Sequence, residues 1–166
     1  DAGKIKHIGF SFHGNAELLD EILTKYPDME LIQLQINYID WESDNVQSRK
    51  CYEVAMKHGK MVSIMEPVKG GSLANIMDDA KKLFTDYNPN ASVASWAIRY
   101  AASLDNILVV LSGMSNMEQL KDNMSYMKDF IPLNEQEQTV IKQATELIKN
   151  TIAIGCTACR YCTDGC

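Results

Sequence analysis

Blocks of positive charge are missing from this chain, and over almost its whole length so is cysteine. Its 166 residues carry 16 Lys and Arg against 22 Asp and Glu, a net charge of −6. Without a basic patch there is no electrostatic footprint for nucleic acid, and none is expected as a partner. No apolar run approaches the roughly 20 residues of a membrane-spanning helix, and the first residues lack the apolar centre of a signal peptide. No membrane partner is expected. Residues 1–155 hold a single cysteine, Cys51, so no set of bridges can staple loops as in a small secreted scaffold. A reducing cytoplasm is the expected setting.

The remaining cysteines crowd into the last eleven residues as Cys156-x2-Cys159-x2-Cys162-x3-Cys166. This is the spacing of an iron–sulfur run, and it points to electron transfer or a redox-linked structural role. The rival is structural zinc. Zinc sites usually pair two separated Cys-x2–4-Cys knuckles, each closing half a tetrahedron. Three cysteines at successive x2 spacing suit a 4Fe-4S cluster better. Cys166 is the open member, because in two-cluster proteins the fourth cysteine ligates the other cluster. Cys51 falls mid-helix and reads as a plain small buried residue.

Apolar patterning predicts four strands: Ile5–Phe10, Leu31–Asn37, Met61–Met65 and Ile107–Leu111. The last is continuously apolar, as a strand buried on both faces should be. Helical periodicity alternates with them. In residues 15–25, Leu18, Leu19, Ile22 and Leu23 share a face. In residues 45–58, Val46, Val54 and Ala55 supply the apolar side, and Gly59 is the stop. Residues 92–103 bring Val93, Trp96, Ala97 and Tyr100 together. Ser115-x-x-Glu118 reads as a capping box ahead of Leu120, Met124 and Met127, and Asn134-x-x-Glu137 as another ahead of Val140, Ile141, Ala144 and Ile148. Residues 70–90 predict only a short helix and a loop ending at Pro89.

Strand and helix alternating four times imply an α/β fold of right-handed parallel βα units. An open doubly wound sheet and half of a (β/α)8 TIM barrel both satisfy this. No G-x-G-x-x-G follows the first strand, which counts against the dinucleotide-binding form of the open sheet. A full barrel needs about 250 residues. A bare half barrel exposes two sheet edges, so either upstream sequence closes it or a second copy pairs with it as a homodimer. The chain starts at Asp1 in mid-pattern and stops on a potential ligand. It is expected to be a piece of a longer protein, with residues 1–150 as the half barrel and 151–166 as the start of a Cys-rich iron–sulfur segment.

In a barrel, function gathers where strands end. The first strand leads into Ser11-Phe12-His13-Gly14. Gln33, Gln35 and Asn37 share one face of the second. Three polar side chains there imply a polar ligand or a hydrogen-bonded network. The third strand leads into Glu66-Pro67-Val68-Lys69-Gly70-Gly71-Ser72, and the fourth into Ser112-Gly113-Met114-Ser115. Glycines let backbone approach an anion, and a following helix offers free N–H groups, so both loops suit phosphate. Barrels often hold phosphate after strands seven and eight, which would make these four strands 5–8. His7 and His58 read as surface groups, Trp41 as a loop residue facing substrate.

Gly3–Ser11, Ile32–Tyr38, Met65–Gly71 and the Cys run, in that order, resemble the aldo/keto reductases, and more narrowly the bacterial and archaeal branch with a ferredoxin-type C-terminal extension. The resemblance implies the C-terminal half of a (β/α)8 barrel that binds NADP or NAD without a Rossmann motif. It matches Ser11 and Gln33 to the residues that bond the nicotinamide carboxamide. His13 stands in for an asparagine whose usual place is taken by Phe12. Met65 lies where an aromatic often stacks on the ring. Gly70, Gly71, Gly113, Met114 and Ser115 match phosphate loops, and Gln119 and Asn123 the adenosine end. The catalytic tyrosine, aspartate, lysine and histidine belong to the first four strands and match nothing here. The resemblance therefore implies a parent that moves hydride between nicotinamide and a small carbonyl or alcohol, with a 4Fe-4S extension serving an electron-transfer partner. This piece alone would be catalytically inactive. The alternative is a non-enzymatic electron carrier or zinc-binding assembly module.

Overall fold

The computed structural model describes residues 3–151. Within them run β1 (Gly9–Ser11), α1 (Ala16–Lys25), β2 (Leu31–Gln35), α2 (Ser48–Lys57), β3 (Met61–Met65), a 3-10 turn over Lys69–Ala74, α3 (Asp78–Tyr87), α4 (Val93–Ala102), β4 (Ile107–Val110), α5 (Met117–Met127) and α6 (Glu135–Asn150). The four strands form one parallel sheet in the order β1-β2-β3-β4. The order never reverses, as it must at the switch point of a doubly wound sheet. Sequential parallel order is what a stretch of barrel requires.

Side-chain alternation explains how the sheet is covered. Ile32 and Leu34 of β2, Ile36 just after it, and Val62 and Ile64 of β3 are buried with Leu19 and Leu23 of α1 and Cys51 and Ala55 of α2. A second core holds Tyr38, Leu73, Phe84, Trp96, Ala97, Leu133, Ile141 and Ala144. It binds α3, α4 and α6 into one layer. The opposite face of the strands carries Ser11, Gln33, Gln35, Ser63 and Met65. Gly9 has a packing reason: a Cβ there would lie 2.1 Å from the Leu31 carbonyl oxygen.

Helix ends follow local chemistry. The Asn15 side chain accepts from the Leu18 N–H at the start of α1, and Ser92 accepts from Ser95 at the start of α4. Asn134 and Glu137 form the expected capping box of α6. Burial pushes the Cys51 thiol up to about 11, in keeping with an inert buried residue.

Several expectations need correction. The first strand is Gly9–Ser11, because pairing with β2 begins at Gly9 opposite Leu31, and Ile5 is 65% exposed. The second α-helix begins at Ser48, leaving Val46 in the preceding turn, and buries Ser48, Cys51 and Ala55. Residues 70–90 contain the ten-residue helix α3, seated by Ala80 and Phe84. The cap of α5 is Asn116, which accepts from the Gln119 N–H; Ser115 instead bonds the Gln119 side chain. No residue of α5 is buried, and Met124 is 56% exposed. The fourth strand is not buried on both faces. It is an edge of the sheet, and Leu108, Val109 and Leu111 are exposed, Leu108 by 54%. Its apolar sequence suits a central strand, but among the described residues only β3 pairs with it.

Candidate functional site

β1, β2 and β3 bring four predicted residues into one polar patch. The Gln33 amide donates to Ser11 Oγ at 3.3 Å and approaches Met65 Sδ at 3.6 Å. The Ser11 hydroxyl lies 3.1 Å from His13 Nε2 and 3.9 Å from Met65 Sδ. Register does this work: Ser11 pairs with Gln33, and Gln35 with Met65. Ser11 and His13 are exposed, while Gln33 and Met65 are half-buried, so the patch can meet a ligand.

Beside it lies a cleft of about 580 Å³ between the turn after β3, the start of α4, and the segment from β4 into α5. Gly70, Gly71, Gly113, Met114, Gln119 and Asn123 all line it. Gly70 and Gly71 have φ of +60° and +92°, the left-handed region that favours glycine, and a Cβ at either would meet open space. What they supply is bare backbone at the cleft wall. Gln119 Oε1 accepts the Ser115 N–H at 2.7 Å, and the Asn123 amide donates to Ser112 Oγ at 2.9 Å. Asn123 Oδ1 accepts from the Tyr126 hydroxyl. These bonds fix the turn from β4 into α5. Ser115 borders the cleft through Gln119 without lining it.

Asn37 plays a different part from the patch. It is fully buried. Its amide donates to Asp40 Oδ2 at 2.9 Å and to the Glu66 carbonyl at 3.3 Å, and its Oδ1 accepts the N–H groups of Ile39 and Asp40. Gln35 also donates to Asp40, at 3.1 Å. Lys69 Nζ closes the network, 2.8 and 2.7 Å from the two Asp40 oxygens. Of the two readings of this polar face, the network holds for Gln35 and Asn37, and the open patch for Gln33. Sequence reasoning gave Asp40 and Lys69 no role. They lie 29 residues apart, and the only local signal was the Asn37-x-x-Asp40 spacing of a side-chain-bonded turn. Trp41 packs against Tyr52 and Tyr100.

Burial pushes the Asp40 carboxyl up, but Lys69, Asn37 and Gln35 outweigh it and hold it below the usual carboxylate range. Glu137 behaves alike: burial raises it, and Arg99 at 2.7 Å with the Asn134 N–H brings it down. Both folded values lie below the ordinary 3.8 and 4.5. Their contribution is therefore complete above those values and lost as pH falls through the depressed ones. Urea midpoints should stay flat from about pH 7 to 5 and drop below about pH 4. Asp40→Asn and Glu137→Gln should each flatten part of that drop; an unchanged acid limb in both variants would remove these two groups as its cause. Asp20, Glu30 and Glu42 shift the same way but sit in solvent, where pairs count for little.

Among the described residues, no group of three or more His, Cys, Asp or Glu is placed to hold a metal ion. The predicted cluster ligands Cys156, Cys159, Cys162 and Cys166 lie outside the described residues. Among the described residues no helix is long and apolar enough to cross a membrane.

Solved structures share this fold. The holo form of an aldo-keto reductase from Bacillus halodurans superposes with a TM-score of 0.65 at 21% identity, covering 86% of this chain and 51% of its own. An aldo-keto reductase from Klebsiella pneumoniae in complex with NADPH gives 0.64 at 15% identity, covering 88% and 49%. A protein described as a putative 2,5-diketo-D-gluconic acid reductase B gives 0.67 at 19%, covering 86% and 47%. The chain thus spans about half the length of the structures it matches. No curated protein matches it. The family model for the aldo/keto reductase family matches residues 1–146. The parallel sheet in unbroken order, the polar patch and the glycine-walled cleft thus sit on a chain that belongs to the aldo/keto reductase family.

Proposed function

We propose that this chain is the cofactor-holding half of a nicotinamide-dependent reductase of small carbonyls or alcohols, carrying an iron–sulfur segment at its end. The observation that carries the reading is the cleft beside the patch: bare backbone at Gly70 and Gly71, the start of α5, and the Ser11–Gln33–Met65 group. The residues present fit an extended dinucleotide. Ser11 and Gln33 offer a hydroxyl and an amide to a carboxamide. His13, bonded to Ser11, holds that hydroxyl in place. The Met65 thioether packs against a ring face. Gly70, Gly71, Gly113 and Met114 line the cleft where a diphosphate would lie, Ser115 fixes the turn beside it through Gln119, and the positive end of α5 stands behind. Gln119 and Asn123 lie further along that helix, toward the adenosine. When bound, the nicotinamide supplies or accepts the hydride.

The proton must come from elsewhere, because no residue matching the family's catalytic tyrosine is present. The reading therefore includes an upstream half of a longer protein, paired along the open edges of β1 and β4; a second copy could cover those edges as a homodimer but would not supply the tyrosine. Cys156, Cys159, Cys162 and Cys166 would ligate a 4Fe-4S cluster that passes electrons to a partner or anchors the segment.

Two measurements test the proposal. Protein purified without oxygen should contain iron with matching acid-labile sulfide; zinc without sulfide would remove the cluster and leave the cleft untouched. In the intact protein, Gln33→Ala should weaken nicotinamide dinucleotide binding about tenfold, the scale of one lost polar contact. Unchanged affinity would move the nicotinamide off this face.

A further inference from the structure

We infer that a groove between α6 and the residues after β2 is the seat of the chain's own segment 152–154, which packs there and holds the cysteine run against the half barrel. The groove has a volume of about 380 Å³ and shares no lining residue with the glycine-walled cleft. One wall is the face of α6 that carries Ile141, Thr145 and Lys149. The other is formed by Tyr38, Trp41 and Tyr100. Ile152, Ala153 and Ile154 lie outside the described residues.

The lining says what kind of occupant fits. Tyr100 meets Tyr38 edge-on with centroids 6.0 Å apart, and meets Trp41 in the same way at 6.1 Å. The three rings thus make one apolar surface, on which Trp41 and Tyr100 stay partly open to solvent. Covering such area is favourable. The rim has no dominant sign, since Lys142 and Lys149 face Glu42 and Glu146, and Glu42 already takes Arg49 at 2.8 Å. Neither an anion nor a cation is selected. The Tyr38 hydroxyl is buried and finds no partner among the described residues. A stretch of peptide brings carbonyl acceptors as well as apolar side chains, which a hydrocarbon ligand does not.

The segment that follows α6 has the sequence, the reach and the tether. α6 ends at Asn150, and Thr151 caps it. Next come Ile152, Ala153 and Ile154, the one run of three aliphatic residues between positions 151 and 166. In extended backbone Ile152 and Ile154 share a face, so both can meet the rings together. From Gln138 to Lys149 the groove wall on α6 is about 16 Å long. Residues 152–155 span about 13 Å when extended, enough to turn back over most of it. The tether is short, because Thr151 stands two residues after Lys149. Docking from there closes a small loop, whereas a separate molecule must lose its translational freedom. Cys156 follows Ile154 by two residues, so the docked segment fixes where the cysteine run begins, whichever metal it takes.

The test uses the full chain. Of its two tryptophans Trp96 is fully buried, so acrylamide quenching reports on Trp41. Ile152→Asp combined with Ile154→Asp, at unchanged metal content, should raise the quenching constant at least about twofold and move the emission to the red, as a covered ring becomes open. The reciprocal variant is Thr145→Glu, which fills the groove from α6. It should speed amide hydrogen exchange of residues 152–155 at least about tenfold. Circular dichroism checks that each variant is folded, and if Thr145→Glu is not, the aspartate pair decides alone. Quenching and emission unchanged in the aspartate pair overturn the inference, as does unchanged exchange in a folded Thr145→Glu. Shielding of Trp41 that the aspartate pair leaves intact but dilution removes would make a second copy the occupant. Shielding that refolding from urea through a desalting column removes would make it a small molecule. Either result overturns the assignment to residues 152–154.

Discussion

Trp96→Ala is expected to lower the unfolding free energy by about 4 kcal/mol. Trp96 is fully buried. Its ring stacks on Phe84 with centroids 4.7 Å apart and planes 8° apart, and Tyr87 meets it edge-on at 5.7 Å. Alanine would leave a void between α3 and α4 that helices pinned at both ends cannot close. Domains of this size hold only about 5–15 kcal/mol in total, so the loss is a large share. The cleft should suffer with it, since Ala94 and Ile98 of the same helix line its wall. A companion variant separates volume from polarity. Trp96 Nε1 is buried and finds no acceptor among the described residues. Trp96→Phe loses ring area but also removes that orphaned donor, and the two effects oppose. Its expected cost is about 1 kcal/mol. Urea unfolding followed by circular dichroism measures both. An alanine variant costing under about 1.5 kcal/mol, or a phenylalanine variant costing as much as alanine, would mean the core re-forms around the site.

What the sequence made legible were features with local causes. β3 was readable to the residue, because Met61–Met65 is a short apolar run between Lys60 and Glu66. The capping box of α6 was readable because both partners lie within one turn. The turn at Gly70 and Gly71 was readable because left-handed backbone favours glycine. The misses had distant causes. α3 offers few apolar positions among Asp and Lys, and its helical state depends on packing against α6 and Trp96. Leu108 and Val109 read as buried because burial depends on a neighbouring strand, which composition does not encode. The cap of α5 slipped by one residue because Ser115 and Asn116 both suit the task, and the Gln119 side chain decides between them. Asp40 with Lys69 and Asp122 with Ser92 were invisible for the same reason: each pair forms only once separate elements have packed.

The Asp40–Lys69 pair is where that hidden layer should matter most. Lys69 has φ of +48° and precedes two further left-handed residues, Gly70 and Gly71. A non-glycine residue there costs about 1–2 kcal/mol. Its backbone is bonded to the Glu66 carbonyl and the Ser72 hydroxyl, and its side chain is held by the carboxylate of buried Asp40. Asp40→Asn should therefore cost about 2–3 kcal/mol, toward the lower side for a buried pair because Lys69 is partly in solvent. Whichever oxygen becomes the amide nitrogen, it faces a donor: Oδ1 serves Lys69, and Oδ2 serves Lys69, Asn37 and Gln35. Lys69→Gly should cost less, since it loses the ion pair but relieves the backbone. In the double variant the losses should fall short of additive by at least about 1 kcal/mol, because the two residues act on one contact. The cleft should report the same coupling. With its pin removed, the turn carrying Gly70 and Gly71 must be ordered by the ligand itself, and ADP-ribose affinity should drop about tenfold in Asp40→Asn. Restoring that affinity in the double variant is not expected, since glycine at position 69 leaves the turn freer still. Urea unfolding and titration of the three variants decide the matter. Additive stabilities with unchanged affinity would reduce the pair to a surface-like contact with no hold on the cleft.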